Sequence, residues 1–237
     1  MTTILQLTDT HIVREGALVS GRLETAGALT RLVDRIMSIK HQIGPIDAVL
    51  VSGDLSDDGS AESYARFQSM LAPLGMPIYV IPGNHDAREP MRAAFSEQLP
   101  VTGPLNWSRR VGDVLLIGLD SLVEGHGHGT LDSETLKFLS EALENADGAA
   151  VLLALHHPPF QSGIGFMDDI GLTNRVAFRE LIAQYSSELR VVCGHIHSLV
   201  IASISGHIAL SAPSPCSTFE SDYRADAKVG YRDMEDG

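Results

Sequence analysis

Ile78-Tyr79-Val80-Ile81-Pro82-Gly83-Asn84-His85-Asp86 decides how the chain folds. A short β-branched and aromatic run, the mark of a strand, stops at Pro-Gly and delivers three side chains able to bind metal or move protons. The same order recurs along the chain. Ile4–Thr8 leads into Asp9-Thr10-His11, Ala48–Ser52 into Gly53-Asp54, Ala149–Leu155 into His156-His157-Pro158-Pro159, and Arg190–Cys193 into Gly194-His195-Ile196-His197. Val114–Leu119 reads as a further strand. Several runs are near-continuous in Val, Ile and Leu, as strands covered on both faces should be. Ligands of α/β sheets bind beyond the carboxyl ends of strands, so five polar clusters in five such places should converge on one site.

Amphipathic stretches alternate with the strands and make the fold class α/β. Leu23, Ala26, Leu29, Val33, Ile36 and Met37 recur at helical spacing. Asp132 is placed to N-cap a helix striped by Leu136, Leu139 and Leu143, and Thr173 to cap one carrying Val176, Ala177, Leu181 and Ile182. Leu199–Ile204 and His207–Leu210 flank Ser205-Gly206 as a hairpin would. No repeat, low-complexity tract or Pro/Ser-rich linker divides the chain, which reads as one domain over 1–237.

Composition narrows the function classes. At 44% hydrophobic and 20% charged residues, the chain has the make-up of a globular protein with a sizeable core. The formal net charge of −13 excludes a surface that grips long nucleic acid and speaks against anionic membranes. Cys193 and Cys216 make no disulfide framework and belong to no C-x-x-C pair. No apolar run approaches the ~20 residues of a membrane span. The N-terminus opens directly into a core strand with no basic leader. The expectation is a reduced, soluble, cytoplasmic protein with a small-molecule substrate, with homo-oligomerisation left open.

The convergent set is Asp9, His11, Asp54, Asn84, His156, His195 and His197, all oxygen or imidazole donors. In an extended stretch alternate residues face the same way, so Asp9 and His11 can grip one ion together. His195 and His197 can do the same or lean toward different ions. Asp54 can bridge two cations. Seven donors exceed the about four that one ion takes from a protein, which points to two ions sharing a carboxylate. Two cations roughly 3.5–4 Å apart suit in-line displacement at phosphorus, because they bring the pKa of water to about 7 and offset charge on the phosphoryl oxygens. His85 is then free to face the substrate, where it could stabilise the transition state or protonate the leaving alkoxide, oriented by Asp86. Divalent or trivalent Fe, Mn, Zn and Co all accept these donors.

Taken together, Asp9-x-His11, Gly53-Asp54, Gly83-Asn84-His85-Asp86, His156 and Gly194-His195-x-His197 resemble the calcineurin-like metallophosphoesterases, in the family's order over about residues 4 to 215. The resemblance implies a four-layer α/β/β/α sandwich of two mixed sheets flanked by helices. It implies Asp9, His11, Asp54 and His197 on one metal, and Asp54, Asn84, His156 and His195 on the second, with Asp54 bridging. It gives His85 the catalytic histidine role. Gly53-Asp54-Leu55-Ser56-Asp57-Asp58-Gly59 and the single histidine of Gly83-Asn84-His85-Asp86 are most similar to bacterial cyclic-nucleotide and glycerophosphodiester phosphodiesterases. Ala212-Pro213-Ser214 resembles that subgroup's late substrate-side loop. Protein Ser/Thr phosphatases usually carry Arg where Asp58 stands. The implied activity is hydrolysis of small phosphodiesters, 3′,5′-cyclic nucleotides first and glycerophosphodiesters next. The alternatives are a phosphomonoesterase on a small metabolite and a non-catalytic metal-binding scaffold.

His11, Asn84, His85 and Arg14 are the candidates for substrate contact. Asp57 and Asp58 read as capping or solvated loop carboxylates. His157 reads as a supporting or pocket-wall residue, Phe160 as a hydrophobic pocket wall, and Trp107 and Cys193 as core. Gly125-His126-Gly127-His128-Gly129 reads as a flexible loop that can serve as a lid. The stretch from about 212 reads as a partial cap or an oligomer contact.

Overall fold

The computed structural model describes residues 2–224 and 226–233. The chain begins β1 (Ile4–Leu7), α1 (Thr25–Ile43), β2 (Ala48–Val51), α2 (Ala61–Leu71), β3 (Ile78–Val80) and α3 (Arg88–Ala94). It continues β4 (Trp107–Val111), β5 (Val114–Gly118), α4 (Ser133–Glu144), β6 (Ala150–Ala154), α5 (Gly165–Asp169), α6 (Arg175–Ile182) and β7 (Leu189–Cys193). β8 (Val200–Ile204) and β9 (His207–Ser211) form the expected hairpin, and β10 (Ser217–Phe219) pairs with β11 (Tyr231–Asp233).

β1, β2 and β3 form a small sheet that is parallel throughout. The larger sheet runs β4-β5-β6-β7-β9-β8, parallel in its middle and antiparallel at both edges. Of the two implied mixed sheets, only the larger is mixed among the described residues. Period-two alternation divides its side chains between two cores. Leu116, Ala154 and Val192 pack with Leu7, Val49 and Leu50 of the small sheet. Their neighbours Ile117, Leu153 and Val191 pack with Leu139 and Leu143 of α4 and Phe178 and Ile182 of α6. Leu29 and Val33 of α1 and Tyr64 and Phe67 of α2 cover the small sheet, which completes four layers. β2 is wholly buried, and each of its Val and Leu side chains contributes about 1.5–3 kcal/mol through burial. Trp107 and Cys193 are core residues as expected.

Local chemistry sets the helix ends. The Glu24 carboxylate accepts from Gly27 N at 2.7 Å to start α1, and Gly44-Pro45 ends it. Asp132 caps α4 by accepting from Thr135 N at 2.7 Å. Thr173 does not cap α6. Its hydroxyl donates to Gly129 O at 3.0 Å, the helix begins at Arg175, and the buried face is Phe178 and Ile182, with Val176 exposed. Among the described residues no helix is long and apolar enough to cross a membrane.

Candidate active site

The carboxyl ends of both sheets meet at one place, and the backbone there is unusual. Among the described non-glycine residues with positive φ, five belong to the predicted ligand set: Asp9 (52°), His11 (43°), Asp54 (49°), His195 (72°) and His197 (50°). The left-handed region is uncommon for residues with a Cβ, although Asp and His tolerate it better than most. Asp9 and His11 therefore do not share a face by strand alternation. They are turned inward by a chain held from both sides. β1–β2 pairing runs on past the strand ends, with Asp9 N donating to Gly53 O (3.0 Å), His11 N to Asp54 O (2.9 Å) and Ile12 N to Leu55 O (2.9 Å). Gly83 is required where it stands, because a Cβ there would collide with the Asp54 carboxylate.

Each histidine of the set is anchored through one ring nitrogen and presents the other. His156 Nδ1 lies 2.8 Å from Ser52 O, His197 Nδ1 3.0 Å from Ser217 O, His195 Nε2 3.1 Å from Ile170 O, and His11 Nδ1 3.1 Å from an Asp57 oxygen. This is how metal-binding imidazoles are oriented. The free nitrogens converge with carboxylates into groups that could hold metal ions. His11 Nε2 and His197 Nε2 sit 3.2 Å apart, and His197 Nε2 lies 3.3 Å from Asp9 Oδ1. His156 Nε2 lies 3.4 Å from Asp54 Oδ2 and 3.2 Å from Asn84 Oδ1, which is itself 2.9 Å from His195 Nδ1. Asp54 Oδ2 also faces His11 Nε2 at 3.6 Å, so this carboxylate touches both groups. Two imidazole nitrogens pointing at each other beside a buried carboxylate form a donor set with room for a cation, and the residues fit one.

The electrostatics favour ionised acids. Burial pushes the Asp9 and Asp54 carboxyls up, but facing histidines, His197 for Asp9 and His156 for Asp54, more than reverse it and hold both below the usual range. Burial and the neighbouring His157 and His156 charges push His195 down, which keeps it neutral as a ligand must be.

His85 is paired differently from the expectation. Its Nδ1 lies 3.2 Å from an Asp57 carboxylate oxygen and 3.3 Å from Asp57 O. Burial pulls the imidazole down, but the Asp57 hydrogen bond and the Asp54 and Asp57 charges outweigh it and raise the pKa to about 10. Asp86 takes no part in this pair. Its carboxylate turns back to accept from Leu55 N, Ser56 N, Gly83 N and the Tyr64 hydroxyl, and so staples the loop after β2 to the loop after β3.

The profile of the calcineurin-like phosphoesterases matches residues 2–199. The chain belongs to this family. It is a metal-dependent hydrolase of phosphoric esters. A probable glycerophosphodiester phosphodiesterase, GpdQ, of Arcobacter nitrofigilis is 33% identical over 231 residues, 96% of this chain and 84% of the relative. The 3′,5′-cyclic adenosine monophosphate phosphodiesterase CpdA of Pseudomonas aeruginosa is 35% identical over 239 residues, 97% of this chain and 83% of its own length. A solved dimetal phosphatase from Danio rerio superposes with a TM-score of 0.70 over 90% of this chain and 88% of its own, at 13% identity, which is a likeness of fold.

Within this phosphoesterase the remaining candidates separate. Arg14 is exposed and lines a separate hollow with Glu15 and Glu62, because the chain turns outward after Val13, whose carbonyl Arg66 holds at 2.7 Å. It is not brought to the cluster. Phe160 is buried in the second core and does not line the hollow beside His85. Ser214 lies beneath the site, donating to Asp9 O at 2.7 Å, so Ala212-Pro213-Ser214 supports Asp9 where a substrate-side loop was implied. His157 supports as expected: it sits 2.8 Å from the Ser121 hydroxyl and 3.1 Å from Gly127 O, tying down the glycine–histidine loop. Asp58 is the loop carboxylate expected of it, accepting from Ser60 N at 3.0 Å. Asp57, expected to be a capping or solvated loop carboxylate, and Phe219, which sequence reasoning passed over, both line the hollow beside His11, His85 and His197.

Proposed function

We propose that this phosphoesterase hydrolyses small phosphodiesters at a dinuclear centre, with 3′,5′-cyclic nucleotides the first substrate class and glycerophosphodiesters the next. The observation that carries the reading is the Asp54 carboxylate facing both donor groups, His11 on one side and His156 on the other, with His85 N bonded to its second oxygen at 2.8 Å. Asp9, His11, Asp54 and His197 would hold one ion, and Asp54, Asn84, His156 and His195 the other. When bound, the ions would supply Lewis-acid charge and lower the pKa of a water held between them. The rest is done by the chain. Asp57 fixes the His85 ring through Nδ1 and favours its protonated form, so Nε2 can give a proton to the departing alkoxide. Asp86 staples together the loops that carry Asp54 and Asn84, which favours donors held in place as charge moves to the leaving oxygen. The stretch from 212 supports the site from beneath and borders its opening: Ser214 under Asp9, Ser217 on His197 and Phe219 beside the hollow. Two buried free cysteines, Cys193 and Cys216, fit a reducing cytoplasm.

Turnover measured on protein reconstituted with Fe, Mn, Zn or Co tests the reading. The panel is cyclic AMP, glycerophosphoethanolamine, bis-p-nitrophenyl phosphate and p-nitrophenyl phosphate. Diester hydrolysis is expected with at least one metal, and activity confined to p-nitrophenyl phosphate overturns it in favour of a monoesterase.

The Asp57–His85 pair gives a separate expectation. Asp57→Asn should lower kcat by about 10- to 100-fold, the range typical when a group that orients a metal-binding histidine is lost, since Asp57 also holds His11 Nδ1. The Asp57 charge raises the His85 pKa, so its removal lowers that pKa and the protonated acid disappears at lower pH. The alkaline limb of the kcat profile therefore moves toward acid. A limb that stays in place would disconnect Asp57 from the proton on His85.

A further inference from the structure

A cavity of about 140 Å³ opens beside His85 and the paired His11 and His197, walled by Val19, Leu23 and Phe219. An apolar cavity of roughly 150 Å³ holds a benzene-sized ring. Three of the polar groups bordering this one are already committed. The Thr25 hydroxyl donates to His11 O at 2.8 Å, Ser217 O and Oγ lie 3.0 and 3.2 Å from His197 Nδ1, and the Asp57 carboxylate lies between His11 and His85. A glycerol or ethanolamine group placed here would give up water and find few partners, a cost that polar groups do not recover in an apolar site. A flat ring would lay its faces on the apolar walls and leave its polar edge toward exposed Ser20 at the rim. Phe219 is held for this role, edge-on to Phe166 at 5.3 Å and 74° and tilted against His197 at 4.7 Å and 39°.

We propose that this hollow is the nucleobase subsite and that Phe219, through base stacking, is the residue that makes the enzyme prefer cyclic nucleotides over glycerophosphodiesters. The inference rests on the phosphodiesterase reading above and narrows it to one substrate class.

The test compares kcat/KM for cyclic AMP with kcat/KM for glycerophosphoethanolamine. Phe219→Ala should lower that ratio at least tenfold, within the roughly 5- to 150-fold that loss of one base–aromatic stack produces, and the change should sit in KM. Phe219→Tyr should restore it. Leu23→Asn, which leaves Phe219 and its ring contacts in place, should shift the ratio in the same direction. A second readout is adenosine, which has no phosphate, titrated calorimetrically into the full chain with and without metal. It should bind the wild type and bind Phe219→Ala at least fivefold more weakly. An unchanged ratio, or adenosine binding undiminished in Phe219→Ala, overturns the subsite. Should the wild type hydrolyse only p-nitrophenyl phosphate, the phosphodiesterase reading falls, and adenosine binding still decides what the hollow accepts.

Discussion

Asp54→Ala is expected to empty both metal positions at once and to lower diester turnover by more than about 10³-fold, beyond the loss of any single transition-state donor. The expectation follows from where the two carboxylate oxygens lie. Oδ2 is 3.4 Å from His156 Nε2 and 3.6 Å from His11 Nε2, so it belongs to both donor groups. Oδ1 accepts from His85 N at 2.8 Å, so the same residue also fixes the chain that carries the acid. No other carboxylate in the cluster spans both groups so closely: Asp9 lies 3.3 Å from His197 but 3.9 Å from His156. Metal per chain, measured by plasma mass spectrometry beside turnover, checks it. Asp54→Asn keeps the size and some hydrogen bonding, and should retain the fold while still losing metal. Two ions per chain in either variant would remove Asp54 from the bridge.

His85→Ala should do the opposite to metal and nearly the same to rate. Its ring is half exposed and bound to Asp57 rather than to the converging donors, so both ions should remain. Turnover of cyclic AMP should fall by about 10²- to 10⁴-fold, the usual contribution of a positioned acid. The loss should be smaller for bis-p-nitrophenyl phosphate, whose leaving phenolate needs little help from a proton. Equal losses on both substrates would mean that His85 stabilises phosphoryl charge instead of protonating the leaving group. Unchanged turnover on both would exclude any catalytic part for it.

The sequence disclosed most of the fold because its strands are short apolar runs stopped by Gly or Pro, and their ends are chemically distinct. The seven donors were legible for the same reason, since each lies two to four residues beyond the end of a strand. What was illegible depends on loops folding back across distant segments. Asp57 looked like one surface acid among many, and only the turn after Asp54 brings it between His11 and His85. Asp86 looked like the partner of its neighbour. In a tight turn adjacent side chains diverge, and Asp86 finds Gly83 N, Leu55 N and Ser56 N instead of the ring beside it. Phe160 and Phe219 were exchanged in importance. One follows the histidine pair in sequence and is buried in the core, while the other lies far along the chain and lines the opening. The H-x-H spacing left two placements open, and in the structure His197 lies against Asp9 while His195 lies against Asn84.

Left-handed backbone at Asp9, His11, Asp54, His195 and His197 has a consequence for anyone wishing to make this enzyme more durable. Each such residue costs the fold about 1–2 kcal/mol relative to a relaxed conformation, a cost that glycine would not incur. Domains are stable by only about 5–15 kcal/mol, so five of these residues weigh heavily in the balance. Substitutions that most improve heat resistance of the metal-free chain should therefore cluster at the positions where chemistry is lost. A screen for thermostability alone would select a sturdier protein with no enzyme left in it.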